Sequence, residues 1–309
     1  MAIRNKLAHW YDANRRDLPW RRTPDPYAIW ISEIMLQQTR VAAVIPYYER
    51  FLARFPTPAS LADAREEDVL AHWSGLGYYS RARNLQRAAR QIISAGRFPS
   101  DYDSLLALAG VGEYTAAAVA SIAFNLPHPV IDGNVKRVAA RLTNNESNVV
   151  FMAEKLLDRS NPGRSNQAVM ELGAMLCVPR DPHCSDCPVA RHCRALRAGT
   201  VNQLPLKRVK PKIERRERKL LVIRRGGRIL LTQGAYIKGL WDLPDFFSGV
   251  RLGAKLGTFR HSIMNSQYIC EVYRAQGRAP RGSRWCDEKR LGEIALSTTA
   301  KKALRCLDG

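Results

Sequence analysis

A mainly helical N-terminal domain followed by a small mixed α/β domain is predicted for this chain of 309 residues by three features. Residues 25–194 carry apolar side chains at three- and four-residue spacing, broken by Pro and Gly, with no period-two run. Downstream the pattern alternates, in LLVIR, RILLTQ and SQYICEVYRA. Between the two regions, residues 206–220 (LKRVKPKIERRERKL) hold eight basic residues against two acidic ones and a proline, the signature of an exposed linker able to rest on a polyanion. The expected organisation is therefore a helical domain over 1–200, a basic linker over 201–216 and the small domain over 217–309.

Composition sets the class of partner. Lys and Arg outnumber Asp and Glu by 49 to 28, a formal charge of +21. Such an excess collects polyanions by counterion release, which makes nucleic acid the expected partner ahead of an anionic membrane surface. At 46% hydrophobic residues the chain has enough apolar surface for packed cores, which excludes a disordered one. It has no apolar run of about 18 residues, and its start, MAIRNKLAHW, lacks the apolar core of a signal peptide. A cytoplasmic, nucleoid-associated monomer with no membrane partner is expected.

The first chemically suggestive element is DPYAIWISEIMLQQTRVAAVIPYYERF. Asp25 suits an N-cap and Pro26 the first helical position, so Glu33 falls about two turns into a helix. By i±3 and i±4 spacing its neighbours are Ile29, Trp30, Leu36 and Gln37. A carboxyl set among such side chains has a raised pKa, which a general acid requires. A solvated helix glutamate is the plain alternative for Glu33 taken alone.

Next comes LAGVGEYT at 108–115, followed by the small-residue run AAAVASIAF. Gly110 and Gly112 allow a tight hairpin between two helices, and the backbone N–H groups that open the second helix can hold a phosphate. A lone G-x-G is weak; here it sits in a basic chain and is followed by Asp132 in VIDGNVKRVAARL.

Cys177, Cys184, Cys187 and Cys193 form C-x6-C-x2-C-x5-C within 17 residues that also include Pro179, Pro182 and Pro188. Four thiolates on a proline-stiffened loop suit either tetrahedral zinc or a cubane iron-sulfur cluster, and spacing alone leaves both open. Cys270, Cys286 and Cys306 lack such spacing and read as ordinary thiols. In the small domain, Gly226 and Gly227 mark a hairpin turn, and residues 297–307 a short terminal helix.

Taken in order, LPW at 18–20, SEIMLQQT at 32–39, GLGYYSRARNL at 75–85, AGVGEYTA, IDGNV and the cysteine ladder resemble the MutY branch of the helix-hairpin-helix DNA glycosylases, relatives of endonuclease III, through most of residues 5–195. The resemblance implies a 4Fe-4S cluster on the four cysteines and an activity that removes adenine opposite 8-oxoguanine or guanine in double-stranded DNA. It makes Glu33 the acid that protonates adenine and Asp132 the carboxylate that faces the sugar cation, with Tyr114 and Asn134 in support. Arg16, Leu18, Trp20, Arg21 and Gln167 would line the adenine pocket, while Gln38 and Tyr78 would wedge into the duplex. Lyase-competent relatives carry a lysine where this chain has Tyr114, so a monofunctional enzyme is implied. Glu113 departs from the pattern, standing in the hairpin where a basic residue is common.

The second domain resembles the Nudix-like C-terminal module of the same family, through LLVIRRGGRILLTQ, KGLWDLPDF at 238–246 and the segment around Phe259 and His261. No R-E-x-x-E-E helix follows Trp241 to hold magnesium, so the implied role is inspection of the oxidised base. The family places Phe-Ser-His, or a central threonine, in the loop that touches that base; this chain reads Phe259-Arg260-His261-Ser262. The competing readings are a thymine or uracil mismatch glycosylase on the same scaffold and a non-catalytic binder of damaged DNA.

Overall fold

The computed structural model describes residues 3–206, 213–234, 239–263 and 266–307. Its helices run in chain order α1 (Ile3–Asn14), α2 (Pro26–Leu36), α3 (Val41–Arg54), α4 (Pro58–Asp63), α5 (Glu66–Trp73), α6 (Ser80–Ser94), α7 (Tyr102–Leu106), α8 (Glu113–Phe124), α9 (Gly133–Thr143), α10 (Val149–Leu156), α11 (Pro162–Met175), α12 (Arg194–Arg197) and, near the end, α13 (Thr298–Leu304). None is long and apolar enough to cross a membrane. The strands are β1 (Glu214–Val222), β2 (Arg224–Arg225), β3 (Arg228–Gln233), β4 (Trp241–Asp242), β5 (Arg251–Ile263), β6 (Ser266–Gln276) and β7 (Arg284–Asp287). Contacts group the chain into two units, Met1–Leu52 with Arg87–Arg208, and Ala53–Gln86 with Val209–Gly309.

In the first unit, α2 is the central helix. Asp25 caps it by accepting the Tyr27 N–H at 3.0 Å, and Pro26 occupies the first turn. Every residue from Tyr27 to Met35 is buried, the pattern of a helix enclosed on all sides, and this is what draws Glu33 out of water. Leu7 and Tyr11 of α1 pack with Val135, Val138 and Leu142 of α9 and with Val169 and Leu172 of α11. The α9–α11 crossing is close: a Cβ built on Gly173 would lie 2.6 Å from the Asn134 Cβ.

The second unit holds two sheets. One has the order β1-β6-β5, with β1 parallel and β5 antiparallel to β6; the other runs β2-β3-β4, with β7 also on β3. Gly226 and Gly227, at φ 54° and 70°, turn the chain between β2 and β3 as expected, because a two-residue hairpin of this hand needs positive φ at both positions. Leu220, Val222, Ile229, Leu231, Val272 and Leu296 form the core with Ala300 and Ala303 of α13.

Two expectations are corrected here. The stretch read as an exposed linker is already strand β1 from Glu214, with Arg218 buried and bonded in bidentate fashion to Asp245 at 2.9 and 2.8 Å; alternation hidden beneath the charges outweighs their polarity. Residues 207–212 of that stretch, and Lys238, lie outside the described residues. Phe259, Arg260, His261 and Ser262, expected in a loop, are paired along β5 with Cys270, Ile269, Tyr268 and Gln267.

Gly173→Ala is expected to lower stability by about 1–3 kcal/mol, since the new methyl must push α9 away at Asn134. Urea unfolding measures it, and an unchanged midpoint would show that the crossing has slack.

Candidate active site

Nine of the residues singled out in the sequence line one cavity of about 190 Å³: Arg16, Leu18, Trp20, Arg21, Glu33, Tyr114, Asp132, Asn134 and Gln167. They come from the α1–α2 connection, α2, α8, α9 and α11, so the cavity exists only where these segments converge.

Glu33 is 5% exposed, and the Tyr114 hydroxyl donates to its Oε2 at 2.5 Å. Burial is the main cause of a pKa raised from the ordinary 4.5 to about 7; the nearby Asp132 adds to the rise, while the Tyr114 hydrogen bond and Arg21 oppose it. At neutral pH this carboxyl is divided between its two forms, the condition in which a carboxylic acid serves as proton donor.

Asp132 is the N-cap of α9. Its Oδ1 accepts the Val135 N–H at 2.6 Å and its Oδ2 accepts the Asn134 amide at 2.9 Å. Burial raises its pKa above the ordinary 3.8, a rise that those two donors and the charge of Arg137 oppose without cancelling. Both oxygens accept from N–H groups, which favours the charged form of the carboxyl. Arg137 in turn donates to Asn134 Oδ1 at 2.8 Å, to the Gly173 carbonyl at 2.6 Å and to the Cys177 carbonyl at 2.6 Å, so the support of Asp132 runs to the first cysteine.

The sequence reading missed Glu171. This carboxylate, 1% exposed, receives Arg16 through Nε at 2.9 Å and Nη2 at 2.7 Å, and Arg21 through Nη1 at 3.0 Å and Nη2 at 2.9 Å. Burial alone would raise its pKa; the two guanidinium groups outweigh burial and hold it at about 2. The signal was a glutamate four residues after Gln167, on the same face of α11. Gln167 accepts from the Tyr11 hydroxyl at 3.1 Å and donates to the Gly163 carbonyl at 3.3 Å.

Other predicted residues lie outside this cavity. Gln38 follows α2 in the left-handed region at φ 55°, with an exposed side chain. In the hairpin between α7 and α8, Gly110 has φ 77° and Gly112 is the N-cap of α8. Glu113 is the exposed first residue of that helix. Tyr78 belongs to the second unit, as do Phe259, Arg260, His261 and Ser262.

The four clustered cysteines line one small pocket with Val138, Arg141, Leu142 and Leu172. Arg141 is 1% exposed and donates to Cys177 Sγ at 3.3 Å and to the carbonyls of Val178, Pro179 and Leu204 at 2.8, 3.2 and 3.0 Å. A buried guanidinium beside four sulfurs suits an anionic thiolate cluster. Four cysteine sulfurs on one pocket are a donor set for a thiolate-held metal group.

A family model described as HhH-GPD superfamily base excision DNA repair protein matches residues 31–161. The adenine DNA glycosylase of Buchnera aphidicola (subsp. Acyrthosiphon pisum) is 36% identical over 256 residues, 78% of this chain and 73% of that protein. This chain belongs to the adenine DNA glycosylase family. The Arabidopsis thaliana member is 36% identical over 94% of this chain and 54% of its own length, and the mouse member 45% identical over 69% and 45%. The chain thus spans about half the length of the first curated relatives it matches. Among solved structures, a thermostable thymine-DNA glycosylase superposes with a TM-score of 0.60 at 28% identity, over 63% of this chain and 95% of that one. An endonuclease III–DNA complex at 24% identity, TM-score 0.56, shares the fold.

A carboxyl whose pKa is raised on folding favours the native state below its ordinary pKa, and that contribution is lost as pH rises through about 7. Glu33→Gln, neutral at every pH, should therefore gain on the wild type by about 2 kcal/mol between pH 5 and pH 8. Denaturant midpoints at the two pH values check this; a constant difference would put Glu33 in water.

Proposed function

We propose that this chain is a monofunctional adenine DNA glycosylase that hydrolyses the N-glycosidic bond of adenine opposite 8-oxoguanine or guanine in double-stranded DNA. The observation that carries the reading is that Glu33, with its raised pKa, and Asp132 line one cavity, with the Tyr114 hydroxyl on Glu33 Oε2. A base removed from a duplex must first leave the stack, and the cavity would receive it between Leu18, Trp20 and Ile29.

Glu33 would donate its proton to a ring nitrogen of the adenine. The C–N bond then breaks with its electron pair on the base, and the sugar becomes an oxocarbenium-like cation facing Asp132. Water adds to that cation, its proton passes to Glu33, and free adenine and an abasic site result. The division of labour between two carboxyl groups is that of glycoside hydrolysis. No lysine lines the cavity among the described residues, and a tyrosine at 114 forms no Schiff base, so strand cleavage is not expected. A thymine-DNA glycosylase shares the fold, yet the arginine pair held by Glu171 beside Gln167 suits a purine rich in hydrogen-bonding nitrogens.

Cys177, Cys184, Cys187 and Cys193 would hold a 4Fe-4S cluster, which when bound would cross-link the loop that follows α11 and supply the anionic charge Arg141 faces. The helical catalytic domain would span 1–200, with the segment around 201–216 joining it to a Nudix-like module over 217–309 that inspects the base opposite adenine. Phe259, Arg260, His261 and Ser262 would serve there; burial and the charges of Lys302 and Arg218 hold the His261 pKa below its usual value, leaving a neutral ring able both to donate and to accept. Gly110 and Gly112 would carry a phosphate, and Gln38 and Tyr78 would enter the duplex. Working on DNA, the protein would sit with the nucleoid.

Single-turnover cleavage of duplexes carrying adenine opposite 8-oxoguanine, adenine opposite guanine and thymine opposite guanine tests the reading. Adenine is expected to be released from the first two, with a rate that falls about tenfold per pH unit above pH 7 as Glu33 loses its proton. Glu33→Gln should bind the same duplex and release nothing; a near wild-type rate in that variant, or efficient strand cleavage without base or heat, would overturn the assignment. Protein purified without oxygen should carry iron and sulfide in cluster stoichiometry and no zinc, and Cys187→Ser should lose both; zinc in their place would refute the cluster.

A further inference from the structure

Tyr78 sits in the turn between α5 and α6, wholly within the second unit. Its side chain is 56% exposed and its backbone has φ 50°, a conformation that a tyrosine holds only when its surroundings enforce it. Gly75 and Gly77, at φ 119° and 74°, supply the other positive-φ positions of the turn. The turn is held from beneath. The carbonyl of Gly77 accepts the Trp73 indole N–H at 3.0 Å and Arg81 Nη2 at 3.2 Å, and the same Nη2 reaches the Leu76 carbonyl at 3.4 Å. At the start of the turn, the Ser74 hydroxyl donates to the Leu296 carbonyl at 2.5 Å and Lys301 of α13 donates to the Ser74 carbonyl at 2.7 Å.

Arg81 is only 8% exposed, and its guanidinium carbon lies 5.2 Å from the Trp73 ring centroid and 5.5 Å from that of Tyr78. Trp73 itself is fully buried. Burial pulls the Arg81 pKa down to about 10, so the group keeps its charge at neutral pH. A buried cation is thus shared between a fixed indole and an exposed phenol. A planar guanidinium can lie against both rings while its edge holds the carbonyls of the turn; an ammonium offers charge without the plane.

We propose that Arg81 is the positioning residue of Tyr78: it holds the phenol ring against the Trp73–Arg81 pair, so that the ring is already ordered when it meets a nucleobase beside the mispair. The proposal rests on the DNA-glycosylase reading and goes beyond it in assigning the ordering of the wedge to a buried cation. Arg81 need not touch DNA; it acts through the ring it supports.

A double-mutant cycle tests this, read by binding and by the fluorescence of 2-aminopurine placed next to the mispair. All variants carry Glu33→Gln so that adenine stays attached. Arg81→Met is expected to weaken binding roughly tenfold and to reduce the fluorescence rise. In a Tyr78→Ala background it should add nothing, and Arg81→Lys should recover part of both signals. If Arg81→Met melts too early to assay, Arg81→Lys enters the same cycle, with the same non-additivity expected. Equal losses with and without the Tyr78 ring would overturn the proposal and make Arg81 a support of the fold alone. Adenine release by the unmutated chain is scored on the same duplex: no release removes the functional reading, whereas normal release with an additive cycle removes only the role of Arg81.

Discussion

A carboxyl group that is to carry a proton at neutral pH must be taken out of water, and the enclosure of Glu33 governs the rest of the helical unit. Its helix is apolar all round, from Tyr27 to Met35, so no face is left to solvent. Burying an unpaired charge in such a helix costs so much that the group takes up a proton instead, and even the neutral form needs a hydrogen-bond partner. Tyr114 supplies the hydrogen bond and protonation supplies the neutrality. The same burial that makes the residue a burden on stability makes it an acid.

Around that group the molecule keeps unlike charges apart by giving each its own partner. Asp132 is satisfied by the start of α9 and by Asn134, donors that favour its charged form against the burial that opposes it. Glu171 is the opposite case, a carboxylate also buried yet held ionised because two arginines converge on it. The three acids of one cavity therefore have different pKa shifts for reasons that are local and chemical. Arg16 and Arg21 share the single charge of Glu171, so the cluster keeps one net positive charge beside the cavity.

Arg137 and Arg141, one turn apart on α9, tie the cavity to the cysteine loop. Arg137 reaches from Asn134 to the Cys177 carbonyl, and Arg141 lies against Cys177 Sγ. Both are buried, and both donate to main-chain carbonyls of the loop after α11, Arg137 to Cys177 and Arg141 to Val178. The loop that gathers the sulfurs is thus part of the frame on which Asp132 rests, and the close crossing at Gly173 sets how near that frame comes to Asn134.

Much of this was legible in the residues themselves. Asp25-Pro26 fixed the start of α2 and hence the phase of Glu33; Gly226-Gly227 fixed the β2–β3 turn; the short spacing of four cysteines fixed a common pocket. These are local signals, carried by caps, turn chemistry and proximity in sequence, and they survive folding unchanged. What the sequence could not decide was non-local. Glu171 reads as an ordinary helix glutamate until α11 brings it to residues 16 and 21, some 150 positions away. Strand β1 was hidden because its charges resemble those of a linker, and only pairing with β6 shows which of them turn inward. Phe259 to Ser262 read as a loop because their backbone partners lie across a hairpin whose register no short motif encodes. Caps and spacings are properties of a few adjacent residues, whereas burial, charge pairing and strand register belong to segments that meet only in the folded chain.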